Sequence, residues 1–482
     1  MKSYQHYING EFINGESNET IDVLNPATEE VISSVPSGTQ ADAKHAIDVA
    51  YKAQKEWKKV PAIERSSYLT KIADVLENKK QMFIELLTEE NGKTWDASTA
   101  EIELAIDYYR YMAGWARRYE GEILQSDRAN ENILIFKQPI GVVSGIVPWN
   151  FPMFILARKL APAIVTGCTV VIKPSQYTSN TACEFAKIIH EIDLPKGVFN
   201  LVTGKGSTLG SELSGNEKVG MVSMTGSYPA GSKVMEAAAR SITKVNLELG
   251  GKAPALVTKH ANIDLAVEKI LQSRLTNNGQ ACTNAERVYV HTSVADEFIE
   301  KITDKMKQAT VGNPLENKAC DIGPLANKDQ LESVEKMVKT AVDNGAKVLT
   351  GGKRAPQEKG YYFEPTVLVD VKQEMDIIQQ EIFGPVLPIV TYDDFDDAII
   401  YANDTEYGLS SSIYSENIHE IMRAANELTY GETFVNRENF EAVQGFHAGR
   451  AQSGIGGADG KHGLNEYLET HAVYMEYDQG YK

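Results

Sequence analysis

Apolar and polar residues recur with two different periods along this chain. Between residues 41 and 57 the apolar side chains fall on one face of a helix: Ala43, Ala46, Ile47, Ala50, Ala53 and Trp57. Similar spacing predicts helices over residues 71–88 and 101–119. Ahead of them, "YINGEFING" places Asn-Gly after short apolar runs, which predicts a β-hairpin.

After Gly141 short apolar runs alternate with helical segments. The runs "GVVSGIV", "TVVIKP", "VFNLVTG" and "VGMVSMTG" predict four strands, with helices over residues 154–165, 181–191, 208–213 and 230–240. Strands that alternate with helices indicate βαβ units and a parallel sheet. Because these strands are apolar throughout, we expect helices on both faces of the sheet.

The segment "LELGGKAP" interrupts this pattern with Gly-Gly and proline. A chain of 482 residues exceeds the roughly 250–300 residues that one core accommodates, so we place a domain boundary near Gly250. A second alternating region follows, with the helix "NIDLAVEKILQSRL" and the strand "RVYVH", and extends to about Asn436. The glycine-rich C-terminal segment ends in the strand-like "AVYMEY", which suggests an arm that pairs with another subunit.

Composition narrows the class of protein. The apolar share of 42% and the charged share of 24% are typical of a globular protein. The net charge of −18 and the lack of a basic block argue against nucleic-acid binding. The N-terminus lacks the apolar core of a signal peptide, and no apolar run approaches the roughly 20 residues of a membrane span. Four cysteines without CxxC spacing favour the cytoplasm, and we expect no metal site.

Cys282 lies in the amide-rich turn "NNGQACTNAERVYV". One interpretation is a small core residue, and the other is a thiol presented for nucleophilic attack. The other three cysteines have surroundings that favour a structural role: Cys168, Cys183 and Cys320.

Two further side chains could serve the same chemistry. Glu248 ends an apolar run, where it either turns to solvent or is buried as a general base with a raised pKa. Asn150 lies between two prolines and two aromatic residues in "PWNFP", which is either a stiffened turn or a fixed amide donor for an oxyanion.

Three turns at predicted strand ends could hold a dinucleotide. They are "VTGKGSTLG" with Gly206, "TVVIKPSQ" with Lys173, and "MTGSYPAG" with Gly226 and Ser227. Such turns before helices suit phosphate groups, although a surface turn needs glycine in any case and a lysine there is often merely solvated.

Several motifs together resemble one family. "PWNFP", "KPSQ", "MTGS", "LELGGK", "GQAC", "EIFGPV" and "NRENFE" occur in the order of the NAD(P)-dependent aldehyde dehydrogenases, and the resemblance covers essentially the whole chain. It implies that Cys282 attacks the aldehyde carbon to form a thiohemiacetal, and that Asn150 stabilises the oxyanion. Loss of hydride to NAD then gives a thioester, which Glu248 hydrolyses to the acid by activating water.

The resemblance also implies the cofactor site. Lys173 and Gln176 would lie near the adenosine ribose, Ser227 at the pyrophosphate, and Glu381 and Phe383 at the nicotinamide. The full set of expected cofactor residues is Ile146, Pro148, Trp149, Lys173, Ser175, Gln176, Gly206, Gly226, Ser227, Leu249, Glu381 and Phe383. The family often has glutamate at position 176, and because a neutral amide repels a 2′-phosphate less, we expect NAD preference with some use of NADP.

The fold implied by the resemblance is α/β, with a Rossmann-type cofactor domain, an α/β catalytic domain and a small β oligomerisation arm. The cofactor domain would comprise residues 1–120 and 140–249, with 437–460 returning to it. The catalytic domain would comprise 250–436, and the arm 121–139 and 461–482. We therefore expect a homo-oligomer, either a dimer or a tetramer.

"WARRYEGEILQSDR", "NRENFEAVQGFHAG" and "SGIGGADGKHGL" resemble in particular the lactaldehyde and glycolaldehyde dehydrogenases. By this likeness a small hydroxyaldehyde would face Arg158, Thr283, Glu441 and His447. Thr283 replaces an asparagine that such enzymes can present, and Arg450 stands where an aromatic residue is common.

Other functions remain open at this stage. A semialdehyde dehydrogenase would pair Arg158 or Arg450 with a substrate carboxylate. Acyl transfer to coenzyme A is disfavoured because it needs no water-activating base such as Glu248. A non-catalytic binding protein with this fold would be expected to lack the nucleophile, the base or the oxyanion donor.

Overall fold

A computed structural model describes residues 2–477. Two large β-sheets with helices on their faces form most of the structure, so the predicted α/β class is confirmed. The last residues of the expected arm, 478–482, lie outside the described range.

The eight-stranded sheet contains all four strands predicted after Gly141. In spatial order its strands are Gly454–Ile455, Lys244–Glu248, Val219–Thr225, Val142–Ile146, Thr169–Lys173, Phe199–Leu201, His6–Ile8 and Glu11–Ile13. The five central strands are parallel, and the outer strands pair antiparallel. Chain order reverses between Val142–Ile146 and Val219–Thr225, which is the position where ligands bind in such sheets.

Consecutive residues of these strands face two different hydrophobic cores. Val143 and Ile172 belong to one core, and Val142 and Val171 to the other. This arrangement explains why the strands are apolar throughout. The helices in this half of the chain are Gln40–Trp57, Ala62–Asn78, Lys80–Asn91, Trp95–Ala113, Pro152–Thr166, Ser179–Glu191, Gly206–Gly215 and Tyr228–Ala238, with a 3-10 turn at Gly114–Arg117.

The seven-stranded sheet lies C-terminal to Gly250 in sequence. Its order is Lys347–Thr350, Thr366–Val369, Val386–Tyr392, Arg287–His291, Pro254–Val257, Ser410–Tyr414 and Glu432–Val435, parallel except for the first pair. The helices of this half are Ile263–Leu275, Thr292–Gln308, Lys328–Asp343, Asp376–Gln379, Phe395–Asn403, Ile418–Glu427 and Gly460–Glu466, with a 3-10 turn at Thr276–Gly279. The division into domains near Gly250 stays a prediction.

A three-stranded antiparallel sheet, which we call the arm, joins Glu122–Gln125, Glu131–Pro139 and Leu468–Glu476. Two smaller sheets contain the remaining strands. One joins Lys2–Ser3, Val31–Pro36 and Thr20–Leu24, and the other pairs Tyr407–Gly408 with Arg450–Ala451.

The N-terminal hairpin is confirmed, with the strands His6–Ile8 and Glu11–Ile13 joined at Asn9 and Gly10. Both turn residues have positive φ, 57° and 78°, which Asn-Gly tolerates.

The prediction of a single helix over residues 71–88 is wrong, because the structure has two helices that meet at Lys79. Apolar spacing continues across this junction, so periodicity alone did not reveal the break. Within residues 2–477 no helix is long and apolar enough to cross a membrane.

Candidate active site

Cys282 follows a turn that depends on its amide-rich sequence. Asn277, Asn278 and Gly279 have φ values of 50°, 60° and 79°, a left-handed conformation that asparagine and glycine adopt most readily. A Cβ on Gly279 would lie 2.2 Å from the carbonyl carbon of Gly384, so only glycine allows the two loops to touch. Among the four cysteines, all within the described range, only Cys282 is not fully buried.

Side-chain amides hold this turn in place. Asn278 donates a hydrogen bond to the Pro324 carbonyl at 2.8 Å and accepts one from the Gly323 N–H at 2.7 Å. The Gln280 side chain accepts a hydrogen bond from the Ala326 N–H at 2.9 Å. The amides around Cys282 therefore fix the backbone that carries the sulfur.

Two cavities meet at Cys282. One has a volume of about 220 Å³ and the other about 30 Å³, and Cys282, Asn150 and Thr225 line both. The larger one also contains seven of the twelve expected cofactor residues, including Glu381 and Phe383 from the expected nicotinamide site: Pro148, Trp149, Gly226, Ser227, Leu249, Glu381 and Phe383. The smaller one contains all four residues expected at the substrate: Arg158, Thr283, Glu441 and His447.

Asn150 is buried beside the Cys282 turn. Its side-chain amide donates to the Gln280 carbonyl at 3.1 Å, and its own carbonyl accepts hydrogen bonds from Lys93 at 2.8 Å and from Asn277 at 3.0 Å. These contacts hold Asn150 in place, and Asn150 lines the cavities on both sides of the sulfur. An amide N–H fixed in this way can stabilise an oxyanion without reorganisation.

Glu248 is buried at the end of the strand Lys244–Glu248 and accepts a hydrogen bond from the Thr225 hydroxyl at 2.9 Å. Lys159 donates in turn to the same hydroxyl at 2.9 Å. Burial acts to raise the pKa of Glu248, but the charges of Lys159, Arg158 and His447 and the hydrogen bond from Thr225 lower it below its ordinary value. The raised pKa expected from sequence is therefore wrong, because the compensating cations come from other elements.

Arg158 is buried in the smaller cavity and paired with two carboxylates. It contacts Asp459 at 2.7 Å and Glu441 at 2.8 Å. Burial raises the pKa of Asp459 to about 6, whereas the pKa of Glu441 falls to about 2 because the charges of His447 and Arg158 outweigh burial. Arg450 is exposed and does not line this cavity.

His447 occupies the same cavity and is fully buried. Its Nδ1 lies 3.0 Å from a carboxylate oxygen of Glu432. Burial alone would lower the pKa of His447, but the charges of Glu432 and Glu441 raise it well above its usual value. Burial raises the pKa of the Cys282 thiol, and the charge of His447 in the same cavity acts in the opposite direction without cancelling this effect.

A third cavity of about 650 Å³ lies at the point where strand order reverses, and it contains the expected cofactor residues Ile146, Lys173, Gly206 and Ser227. A Cβ on Gly206 or Gly210 would meet no atom within 4 Å and would instead occupy this space. The N-termini of the helices Gly206–Gly215 and Tyr228–Ala238 border it, so backbone N–H groups are available to phosphates. These residues fit a dinucleotide. Ser175 and Gln176 are not among the lining residues and lie partly exposed beyond Lys173.

Glu381 and Phe383 belong to a loop fixed by a buried carboxylate. Glu286 accepts hydrogen bonds from the N–H groups of Ile382 at 2.9 Å and Phe383 at 3.1 Å. It also pairs with Lys252 and Arg274, each at 2.8 Å. Glu381 itself accepts a hydrogen bond from the Gly251 N–H at 2.8 Å, and burial raises its pKa to about 8.

Comparison with known proteins agrees with this site. Residues 12–473 match the aldehyde dehydrogenase family. The lactaldehyde dehydrogenase of Escherichia coli is 55% identical over 470 residues, 98% of each chain. A crystal structure of the E. coli enzyme superposes with a TM-score of 0.97 and covers 98% of this chain and 99% of that one.

The chain belongs to the aldehyde dehydrogenase family.

Two further relatives support this membership. A 3,6-anhydro-alpha-L-galactose dehydrogenase of Vibrio sp. is 43% identical over 481 residues, 99% of this chain and 100% of that one. A Staphylococcus aureus betaine aldehyde dehydrogenase, solved with NAD+, has a TM-score of 0.96 at 35% identity and covers 98% of this chain and 95% of that one. As a member of this family the protein oxidises aldehydes to acids with a nicotinamide dinucleotide, which disfavours a non-catalytic binding protein.

Sequence reasoning missed several polar residues of this aldehyde dehydrogenase site. They are Lys159, Thr225, Glu286, Glu432 and Asp459. The available signal was a charged residue within an apolar run, as for Lys159 in "FILARKLAP" and Glu286 before "RVYVH". Their partners lie far away in sequence, so the pattern did not indicate which charges would meet.

Proposed function

We propose that this aldehyde dehydrogenase oxidises a small hydroxyaldehyde, such as lactaldehyde or glycolaldehyde, through a thioester on Cys282. The observation that carries this proposal is the position of Cys282 between the two cavities, one with the expected nicotinamide residues and one with the expected substrate residues. The name of the E. coli relative, lactaldehyde dehydrogenase, supports the same substrate class.

The charges in the smaller cavity favour a neutral, polar substrate over a semialdehyde. Arg158 already pairs with Asp459 and Glu441, so it has no unpaired charge to offer a substrate carboxylate. A third carboxylate beside these two would meet repulsion in a buried site. The carboxylates can instead accept hydrogen bonds from a substrate hydroxyl. The small volume of the cavity, about 30 Å³, agrees with a short chain.

In the first step the Cys282 thiolate attacks the aldehyde carbon, and the carbonyl oxygen becomes an oxyanion. The Asn150 side-chain amide and the Cys282 backbone N–H donate to this oxygen. When bound, the nicotinamide supplies the hydride acceptor, with Glu381 and Phe383 holding its ribose and ring. Cys282 is then acylated as a thioester.

In the second step Glu248 accepts a proton from the water that attacks the thioester. Its lowered pKa keeps the carboxyl group ionised, and therefore available as a base, throughout the neutral range. Thr225 and Lys159 fix the orientation of the carboxylate through one hydroxyl.

We infer that the cofactor is preferentially NAD, with measurable use of NADP. Gln176 lies three residues after Lys173, which lines the large cavity, and in the proposed complex it offers an amide rather than a carboxylate to the adenosine ribose. Replacing Gln176→Glu should raise the ratio of kcat/KM for NAD over NADP by about tenfold, because a carboxylate repels the 2′-phosphate. Steady-state rates with each cofactor would test this, and an unchanged ratio would contradict the position assigned to Gln176.

We further propose a homo-oligomer, a dimer or a tetramer, assembled in part through the arm. We place the protein in the cytoplasm, which agrees with four cysteines that form no disulfide.

The substrate is tested by an aldehyde panel with NAD. We expect kcat/KM for lactaldehyde and glycolaldehyde to exceed that for propionaldehyde, which lacks the hydroxyl, and that for succinic semialdehyde, which carries a carboxylate. The Cys282→Ala variant serves as a control that should bind NAD but produce no NADH. A preference for the semialdehyde would contradict the hydroxyaldehyde proposal.

A further inference from the structure

The Arg158 guanidinium is held by two carboxylates. Its Nε and Nη2 donate hydrogen bonds to the two carboxylate oxygens of Asp459, at 3.1 and 2.7 Å, which makes a bidentate ion pair. Nη2 also donates to Glu441 at 2.8 Å, whereas Nη1 has no hydrogen-bond partner within residues 2–477. Arg158 therefore keeps unused N–H donors, although two negative charges already balance its one positive charge.

The two carboxylates differ in their position relative to the substrate cavity. Glu441 lines the cavity together with Arg158, whereas Asp459 is not among the lining residues and is only 1% exposed. Asp459 carries its charge at neutral pH, since burial raises its pKa only to about 6. A substrate in this cavity meets Glu441 directly, and the charge of Asp459 acts on it through Arg158.

Asp459 has a backbone conformation that strongly favours glycine. Its φ is 70° and its ψ is 161°, a combination that few residues with a side chain adopt. Hydrogen bonds fix the backbone on both sides: Ala458 exchanges two of them with His447, and the Asp459 carbonyl accepts one from the Gly463 N–H at 2.8 Å. An aspartate kept at a position suited to glycine indicates a role for its side chain.

We propose that Asp459 is a specificity-determining residue, which prevents the site from accepting aldehydes that carry a carboxylate. Asp459 and Glu441 place two negative charges against the one positive charge of Arg158, so a third carboxylate meets net repulsion. A hydroxyl group meets none, because it can accept a hydrogen bond from Arg158 and donate one to Glu441. This inference rests on the proposed function, since it concerns which aldehydes reach Cys282.

Asp459→Asn removes the charge and nearly preserves the shape of the side chain. Glyoxylate and glycolaldehyde are the substrates to compare, because glyoxylate carries a carboxylate where glycolaldehyde carries a hydroxymethyl group, and the two differ little in size. With NAD at neutral pH, we expect the ratio of kcat/KM for glyoxylate to that for glycolaldehyde to rise at least about tenfold over the wild type. A residue with a structural role alone would lower both values alike and leave the ratio unchanged.

Two further variants serve as controls. In the double variant Arg158→Gln with Asp459→Asn the gain should vanish, because the cation that Asp459→Asn releases for the substrate carboxylate is then missing. Asp370 is an exposed aspartate that also has a positive φ, 56°, and Asp370→Asn should leave the ratio unchanged.

An unchanged ratio in Asp459→Asn would overturn the inference, and so would a gain that persists in the double variant. If Asp459→Asn does not fold, Asp459→Gly decides, because glycine suits this backbone conformation and also removes the charge. An unchanged ratio in that variant overturns the inference as well. These failures leave the proposed function intact as long as the wild type oxidises glycolaldehyde, whereas a wild type that prefers glyoxylate contradicts both.

Discussion

At the scale of single residues, the environment of Glu248 determines how its carboxyl group acts. Three cations surround a buried carboxylate, and the Thr225 hydroxyl donates to it. Their combined effect keeps the group charged although it is buried. A glutamate in this state can accept a proton from water but cannot act as a general acid at neutral pH.

Glu248→Gln should separate the two chemical steps. Acylation of Cys282 does not need this base, so we expect a rapid burst of about one NADH per active site in stopped-flow absorbance. Steady turnover should then fall by roughly 10²–10⁴-fold, the usual contribution of a general base. Glu212→Gln, a change on the helix Gly206–Gly215, provides a control for the loss of one negative charge. Full steady turnover in Glu248→Gln would remove Glu248 from the mechanism.

At the scale of elements, Glu286 connects two loops that the active site needs. It precedes the strand Arg287–His291, pairs with Arg274 and Lys252, and accepts N–H groups from the loop that carries Phe383. Burial opposes ionisation of Glu286, but the charges of Arg274 and Lys252 and these hydrogen bonds lower its pKa to about 2.

Glu286→Gln should lower stability and raise the KM for NAD. Removing one partner of a buried ion pair costs about 3–5 kcal/mol, and the loop with Phe383 loses its anchor. A lowered carboxyl pKa stabilises the fold above about pH 4.5, and this contribution is lost as pH falls toward 2. The denaturant concentration at the unfolding midpoint should therefore fall more steeply with decreasing pH for the wild type than for the variant. Glu297→Gln, on the exposed side of the helix Thr292–Gln308, should change neither the stability nor the KM for NAD.

At the scale of the whole molecule, the arm presents apolar side chains that the other described residues, within 2–477, do not cover. Ile123 is 77% exposed and Met475 43% exposed, and the strand register places both on one face of the arm, on the strands Glu122–Gln125 and Leu468–Glu476. Exposed apolar side chains grouped on one small sheet are typical of a surface that another subunit covers.

The double variant Ile123→Asp with Met475→Asp should weaken association, because two charges would have to be buried in the interface. Sedimentation velocity should show a shift toward smaller species. Ile400→Asp makes the same kind of change at an isoleucine that is 62% exposed elsewhere, and it should leave the sedimentation coefficient unaltered. An unchanged sedimentation coefficient in the double variant would show that the arm does not hold the oligomer together.

The sequence by itself determined the regular elements and singled out Cys282 as the proposed nucleophile. Helical spacing and apolar runs depend on neighbouring residues only, so most helices and all four strands after Gly141 were predicted close to their observed bounds. The turn "NNGQAC" likewise carries its own conformational requirement in Asn277, Asn278 and Gly279.

Only the tertiary structure decided which charges meet. Arg158 and Asp459 are 301 residues apart in sequence, and His447 pairs with Glu432 from a different element. Electrostatic effects depend on distance in space and on burial, neither of which a local pattern contains. For that reason the ionised state of Glu248, the pairing of Arg158 with Asp459 and the pairing of His447 with Glu432 became visible only in the folded chain.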